Sequence, residues 1–185
     1  NTIDPLIALL KRQELAVDTA KALAAIGDLR AVNPIVELVE LGGTQDIPGI
    51  ISALAAFRTR SSTLQLVKFL GHGDPTIRAE AALALGLFTH DEDVQLALFE
   101  MLGDPDEAVQ LAAVEGVASL GGSDALPDLL TALATTRSAG TRAAARRGVA
   151  TACARFDDKS ACVAPIAMAM RKASPDARRD LLDIL

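Results

Sequence analysis

The chain has 185 residues, of which half are apolar, 3% are aromatic and none is Trp or Tyr. Its interior must therefore be built from Ala, Leu, Val and Ile, and Ala and Leu are the strongest helix formers. The formal net charge is −6, with 8 basic and 19 acidic side chains in residues 1–135 and 10 basic and 5 acidic ones in residues 136–185. The acidic body argues against general nucleic-acid binding, which depends on neutralising phosphates. No charge-free apolar run is long enough to predict membrane insertion.

Two segments of the chain, residues 77–86 and 109–118, repeat each other at an offset of 32 residues. Each of them follows a turn of sequence Gly-Asp-Pro. A fixed period of roughly 20–50 residues is typical of stacked repeat proteins. Five units, each with a first helix (helix A), a turn and a second helix (helix B), cover about residues 11–41, 44–70, 75–102, 105–134 and 139–171. The pattern predicts an all-α fold, a right-handed α-α superhelix that forms a single repeat domain.

The predicted helices follow one another in A and B pairs along the chain. The pairs are 15–27 and 31–41, 47–57 and 62–70, 77–89 and 93–102, 109–121 and 125–133, and 141–153 and 161–170. One apolar column of helix A recurs at spacings of 32, 30, 32 and 32 residues, at Leu23, Ala55, Leu85, Val117 and Val149. We expect this column to be buried and the small residues Ala82, Ala113 and Gly116 to lie where helices touch.

Both ends of the sequence carry part of a unit. Residues 4–10 predict a helix B without its partner, and residues 174–185 predict a helix A with Ser174 as N-cap and Pro175 at the first helical position. The last apolar residues are Leu181, Leu182, Ile184 and Leu185. Nothing in the sequence covers them, so we expect a fragment of a longer array, with self-association through this end as the alternative.

The most regular stretches carry a likeness to a known family. Residues 74–78 read Asp-Pro-Thr-Ile-Arg and lead to Leu85-Gly86, and residues 22–32 read Ala-Leu-Ala-Ala-Ile-Gly-Asp-Leu-Arg-Ala-Val. They resemble HEAT repeats, in particular the short units called phycobilisome-lyase-type HEAT-like repeats. The resemblance implies a scaffold for protein contacts. The family's helix-A Arg is kept at Arg78, Arg142 and Arg178 but is Gln110 in the fourth unit, so an Arg–Asp ladder is expected to be incomplete.

No constellation of side chains predicts a metal, a cofactor or a catalytic site. His72 and His90 are isolated in predicted loops, and the Gly-rich turn at 71–74 lacks the Gly-Lys-Ser/Thr of a phosphate loop. Asp91-Glu92-Asp93 either begins helix B, where carboxylates favour the helix dipole, or holds a cation weakly. We therefore expect no cofactor and a chain that is not an enzyme.

The two cysteines occupy adjoining positions of the fifth unit. Cys153 ends helix A and Cys162 begins helix B, so they face each other across the turn, within reach of a disulfide. Two buried small side chains are the alternative. Residues 146–170 also resemble units of secreted or periplasmic bacterial HEAT proteins, in which a Cys…Asp-x-x-x-Cys spacing recurs. A disulfide would imply the periplasm or secretion, and free thiols the cytoplasm.

Helix B lines the concave face in the family that the chain resembles, and such faces bind partners. The exposed positions predicted from the register form two columns, Asn33, Leu64, Gln95, Pro127 and Ala164, and then Glu37, Lys68, Phe99, Thr131 and Met168. Leu64, Phe99 and Met168 are apolar where solvent is expected, which favours a contact surface, unless the register is wrong by one residue and they belong to the core.

The sequence thus predicts a non-enzymatic scaffold for another protein. The predicted contact residues are Glu37, Lys68, Gln95, Phe99, Thr131 and Met168. The basic end is either a surface for an acidic partner or a solvated helix face. The alternative function is a subunit or accessory domain of an enzyme, either bilin lyase-like, since some relatives of this repeat type attach or remove bilins, or fused to a separate catalytic domain.

Overall fold

A computed structural model describes residues 3–42, 46–88 and 91–185 of the chain. Within these ranges the regular structure is twelve α-helices and three short 3-10 turns, with no strand, so the all-α prediction is confirmed. The first six helices are α1 (Ile3–Leu9), α2 (Ala16–Ile26), α3 (Val32–Glu40), α4 (Ile47–Ala56), α5 (Arg60–Phe69) and α6 (Pro75–Leu85). The other six are α7 (Glu92–Met101), α8 (Glu107–Leu120), α9 (Leu126–Thr135), α10 (Ala139–Ala154), α11 (Val163–Met170) and α12 (Pro175–Leu182).

The helix boundaries follow from side chains that satisfy the first free backbone N–H groups. The carboxylates of Asp91 and Asp106 accept from the first turns of α7 and α8. Ser174 caps α12 ahead of Pro175, as predicted. Because Asp91 is the N-cap and Glu92 and Asp93 form the first turn of α7, the acidic triplet begins a helix. The described residues contain no group of three His, Cys, Asp or Glu side chains arranged for a metal ion.

The chain divides into two compact units, Asn1–Leu85 and Gly86–Leu185. The single continuous repeat domain stays a prediction. In the first unit the A-type helices α2 and α4 pack side by side, α4 packs on α6, and α5 packs on α6. Leu23, Ala55 and Leu85 are buried there, because the apolar column recurs on the face that each A helix turns to its neighbours.

The second unit repeats the arrangement with longer A helices. Here α10 packs against both α8 and α9, and α7 packs against α8. Val117 and Val149 are fully buried. A Cβ placed on Gly86 would lie 2.8 Å from the Gly116 Cα, so the backbones approach there more closely than any larger residue would allow. The predicted close packing at Gly116 is observed.

The turns between units are held by the helix-A position that carries Arg in the family. The Arg78 guanidinium donates to the carbonyl of His72 at 2.9 Å, and the Gln110 amide donates to the carbonyl of Asp104 at 2.7 Å. Arg178 donates to the carbonyl of Met170 at 3.0 Å. Each side chain therefore satisfies carbonyls at or just beyond the end of the preceding B helix, where helical partners are missing.

The C-terminal apolar face is smaller than predicted. Leu181 is fully buried, whereas Leu182 and Leu185 are 57% and 60% exposed. Leu181 is turned inwards because α12 packs on α9, α10 and α11. The prediction that Leu181 belongs to an uncovered face is therefore wrong, and self-association through this end stays a prediction.

Candidate functional site

The B-helix positions predicted to face solvent do so. In the first unit Glu37 and Lys68 are exposed and Leu64 is 52% exposed. In the second unit Phe99 is 38% and Met168 69% exposed. The alternative register, which returned these apolar side chains to the core, is therefore wrong. Exposure of this kind supports a contact surface but does not identify what it binds.

One polar bridge joins two B helices of the second unit. The Gln95 amide on α7 donates to the Asp128 Oδ2 on α9 at 3.2 Å and to the carbonyl of Asp124 at 3.4 Å. Burial raises the pKa of Asp128 above its ordinary value, and the hydrogen bond from Gln95 opposes this rise. Gln95 is only half-exposed because it makes this bridge, so it is less accessible than Phe99 and Thr131 of the same predicted surface.

The two cysteines of the second unit are free thiols in the structure, so the predicted disulfide is not formed in it. They are nevertheless neighbours. The pKa of the Cys153 thiol is raised to about 12, first by burial, and then by a hydrogen bond with Cys162 and by the charge of Cys162. A thiol with so high a pKa is protonated at neutral pH and is a weak nucleophile. Helix α10 continues past Cys153 to Ala154, since no glycine ends it as Gly27 and Gly121 end α2 and α8 with positive φ.

A cavity of about 390 Å³ opens in the second unit between the start of α8, the end of α9 and the start of α10. Its apolar wall comes from Leu102, Val114 and Ala132, and its polar wall includes Arg137 and Thr141. Thr141 is 2% exposed, and among the described residues its Oγ1 is the buried side-chain oxygen that lacks a hydrogen-bond partner.

Sequence reasoning did not single out this cavity, although one signal for it existed. In the repeat register Thr141 takes the place of Ile77 and Val109, which are buried at 4% and 0% exposure. A hydroxyl in a column that is otherwise aliphatic departs from the pattern. The departure shows in the sequence, but the cavity beside it depends on how three helices meet.

The basic side chains of the C-terminal part are mostly solvated. Arg142 is an exception, because its Nε lies 3.3 Å from the Asp180 Oδ2 and so ties α10 to α12. This ion pair is a contact of the kind expected for an Arg–Asp ladder. Among the described residues, none of the helices has the length and apolar character that a membrane crossing requires.

The helical hairpins and their recurring columns define a helical-repeat protein, and comparison with known families gives the kind of repeat. HEAT repeats match residues 63–150, and the PBS lyase HEAT-like repeat matches residues 16–40. The chain therefore contains HEAT-type repeats, as the resemblance predicted.

Two relatives that match the chain carry more specific names than the family. Bilin biosynthesis protein PecE of Mastigocladus laminosus is 32% identical over 133 residues, which are 70% of this chain and 49% of that protein. Bilin biosynthesis protein PecE of Nostoc sp. (strain PCC 7120) is 30% identical over 111 residues, 60% of this chain and 44% of that protein. The chain spans about half the length of the curated relatives it matches.

A solved structure supports the fold alone. The crystal structure of an engineered protein from the Northeast Structural Genomics Consortium covers 100% of this chain and 95% of its own, with a TM-score of 0.52 and 20% identity. At that identity the likeness carries no information on function.

The relatives correct one prediction made from the sequence. The chain was expected not to be an enzyme, and this is contradicted by two relatives named for bilin biosynthesis. The expectation rested on the failure to recognise a catalytic constellation in the sequence, and such a failure does not show that a chain has no part in catalysis.

Proposed function

We propose that this chain is the HEAT-repeat part of a bilin lyase-like enzyme, as a subunit or an accessory domain, and that it binds a bilin, an open-chain tetrapyrrole. The observation that carries the proposal is the 32% identity over 133 residues with a bilin biosynthesis protein, since these cover 70% of the chain. The PBS lyase HEAT-like repeat at residues 16–40, in the first unit, also supports it.

The chain's own cysteines are poorly suited to covalent chemistry. The raised pKa of Cys153 leaves its thiol protonated at neutral pH, and Cys162 is 3% exposed. A thiolate is the reactive form of cysteine. We therefore assign to this chain the binding and orientation of the bilin, and place any thiol that reacts with it on another protein.

The acceptor of the bilin is the protein partner that this proposal implies. In the second unit Phe99 and Thr131 stand on the exposed sides of α7 and α9, and Met168 stands on the exposed side of α11. An exposed aromatic among smaller side chains is the kind of residue on which binding energy concentrates. The B-helix surface formed by Gln95, Phe99, Thr131 and Met168 is thus our proposed contact for the acceptor protein.

Absorbance tests the bilin proposal directly, because a bilin absorbs in the visible range, where amino-acid side chains do not. Adding the folded protein to biliverdin should change the shape and position of the visible band in a saturable way, since a bound tetrapyrrole loses conformational freedom. A spectrum that stays flat up to high protein concentration contradicts the proposal. The same chain unfolded in urea is the control for non-specific association.

A further inference from the structure

We infer that the cavity between α8, α9 and α10 binds a carboxylate carried on an apolar skeleton, and that Arg137 and Thr141 recognise this carboxylate. The inference rests on the proposed function for the identity of the skeleton, a bilin, whose propionate side chains supply such carboxylates. The site itself is argued from the second unit alone.

The first observation is the Thr141 hydroxyl, which is buried without a partner. Three other threonine hydroxyls of the second unit donate to the carbonyl four residues earlier: Thr131 to Pro127 at 2.9 Å, Thr135 to Thr131 at 2.8 Å and Thr151 to Arg147 at 2.9 Å. Thr141 lies in the first turn of α10, so the residue four positions earlier precedes the helix. A buried hydroxyl without a partner carries a desolvation cost, which a ligand oxygen in the cavity would offset.

The second observation is the departure from the repeat at this position. Ile77 and Val109 fill the same column in α6 and α8 and are buried. Valine has nearly the shape of threonine, so an aliphatic residue would pack here without an unsatisfied hydroxyl. The hydroxyl is therefore not needed for packing.

The third observation is the change of charge at the start of the helix. The N-cap of α8 is the carboxylate of Asp106, whereas the N-cap of α10 is the neutral Ser138. Arg137 stands directly before Ser138 and lines the cavity. A helix N-terminus carries partial positive charge, so a neutral cap with a guanidinium directly before it makes this side of the cavity favourable for an anion.

The walls set the size and polarity of the ligand. Leu102, Val114 and Ala132 offer an apolar surface, and Glu107 stands on the α8 side. A carboxylate must therefore lie on the α10 side, while Glu107 faces groups that can donate, such as the pyrrole N–H groups of a bilin. A volume of about 390 Å³ is at the small end for organic ligands, so the cavity would take one propionate side chain and the pyrrole ring that bears it.

The experiment compares three probes on the whole chain by absorbance titration or competition: biliverdin, biliverdin dimethyl ester and propionate. We expect biliverdin to bind at least about tenfold more tightly than its ester, whose neutral carbonyl still accepts a hydrogen bond but cannot form an ion pair with Arg137. Arg137→Gln and Thr141→Val should each weaken biliverdin binding by about tenfold, and Arg137→Gln should weaken ester binding by less than biliverdin binding. Arg146→Gln, which removes an exposed arginine of the same helix outside the cavity, should bind as the wild type.

Folding is controlled within the same set of variants. Thr141→Val restores the residue type of the repeat, so its thermal midpoint should equal or exceed that of the wild type while its affinity falls. A loss of affinity in both variants with no loss of folded protein supports the site.

The remaining outcomes separate the two proposals. Wild-type binding that neither substitution changes, or an ester that binds as tightly as the acid, overturns the site and leaves the bilin function standing. A wild type that binds neither bilin overturns the proposed function. If propionate alone then protects the folded state in an Arg137-dependent way, the cavity takes a small organic acid, and the bilin as the source of its carboxylate is refuted.

Discussion

The two compact units are built from the same repeat, but they differ in how the interfaces between their helices are packed. In the first unit the A helices α2, α4 and α6 have 11, 10 and 11 residues, and buried Ser62 and Thr63 are both hydrogen-bonded to Thr59. In the second unit α8 and α10 have 14 and 16 residues, and the interface between them contains a cavity and the unpartnered hydroxyl of Thr141. Regular packing therefore characterises the first unit, while the second departs from it where a ligand can enter.

The largest effect is expected from a substitution that removes a buried side chain from the regularly packed first unit. Leu85 at the end of α6 is fully buried, so Leu85→Ala should lower the free energy of unfolding by about 2–5 kcal/mol. Leu182→Ala, at a side chain that is 57% exposed, is the control and should change it by less than about 0.5 kcal/mol. Urea denaturation followed by circular dichroism measures both. A loss at Leu85 no larger than that at Leu182 would mean that the buried column does not stabilise the first unit.

The cysteine pair sharpens the comparison, because it is confined to the second unit. Oxidation of Cys153 and Cys162 to a disulfide would close a ten-residue loop, and such a loop stabilises by roughly 3 kcal/mol or less in the chain-entropy model. Protein isolated from an oxidising compartment should titrate no thiols when denatured without reductant, and reduction should lower its unfolding midpoint. Two titratable thiols per chain would refute the bond, and Cys162→Ser gives the reference for a chain that cannot form it.

The close packing of α10 can be tested with two glycines of one helix. A Cβ on Gly148 would lie 2.9 Å from Leu129 Cδ2 and 3.2 Å from the Ala118 Cβ, whereas one on Gly140 would meet nothing nearer than Ser138 Oγ at 3.7 Å. Gly148→Ala should therefore destabilise the protein by about 1–3 kcal/mol through overpacking. Gly140→Ala should be neutral or stabilise it by up to about 1 kcal/mol. Equal shifts of the thermal midpoint for the two variants would show that α9 can move away from α10 without a measurable loss of stability.

Most of the fold could be predicted from the sequence, because it depends on local periodicity. The helices begin and end within a few residues of the predicted bounds, since N-caps such as Ser174 and apolar columns such as the one through Val117 are read along one chain. The exposed side of Phe99 followed from the same register. Burial of Leu181 was not predicted, because it depends on how α12 packs against α9 and α10 as well as against the preceding helix α11.

The candidate site was much harder to predict. Thr141 is a common residue for the start of a helix, and only its comparison with Ile77 and Val109 marks it as unusual. The sequence shows neither the cavity nor the unpartnered state of the hydroxyl, because both arise from the meeting of α8, α9 and α10. The prediction that the chain is not an enzyme is contradicted by the names of its relatives, which no residue pattern recognised in the sequence had indicated.

The predicted contact surface of the second unit is tested at Phe99. Phe99→Ala should weaken binding of an acceptor protein by about tenfold or more, because aromatic side chains often dominate interfaces. The unfolding free energy should change little for a side chain on the solvent side of α7. Leu96→Ala is the control, because Leu96 is another exposed apolar side chain of α7 and lies outside the proposed contact surface. Loss of folded protein with unchanged affinity in the folded fraction would identify Phe99 as a packing residue, and the contact would then be sought among the basic C-terminal side chains.

The smallest expected effect concerns the polar bridge between α7 and α9. Because burial raises the pKa of Asp128, its ionised form is less favourable in the folded state than in the unfolded chain. The folded protein therefore loses stability as the pH rises from the ordinary value of 3.8 through the raised pKa. Below the ordinary value the carboxyl is protonated in both states, and this loss of stability is absent. Asp128→Asn keeps an oxygen to accept from Gln95 and removes the charge, so at pH 7 it should unfold at a slightly higher temperature than the wild type. The difference should close as the pH falls below the ordinary pKa of aspartate, and a difference that is the same at pH 7 and at pH 3 would show that the Asp128 charge does not weaken the second unit.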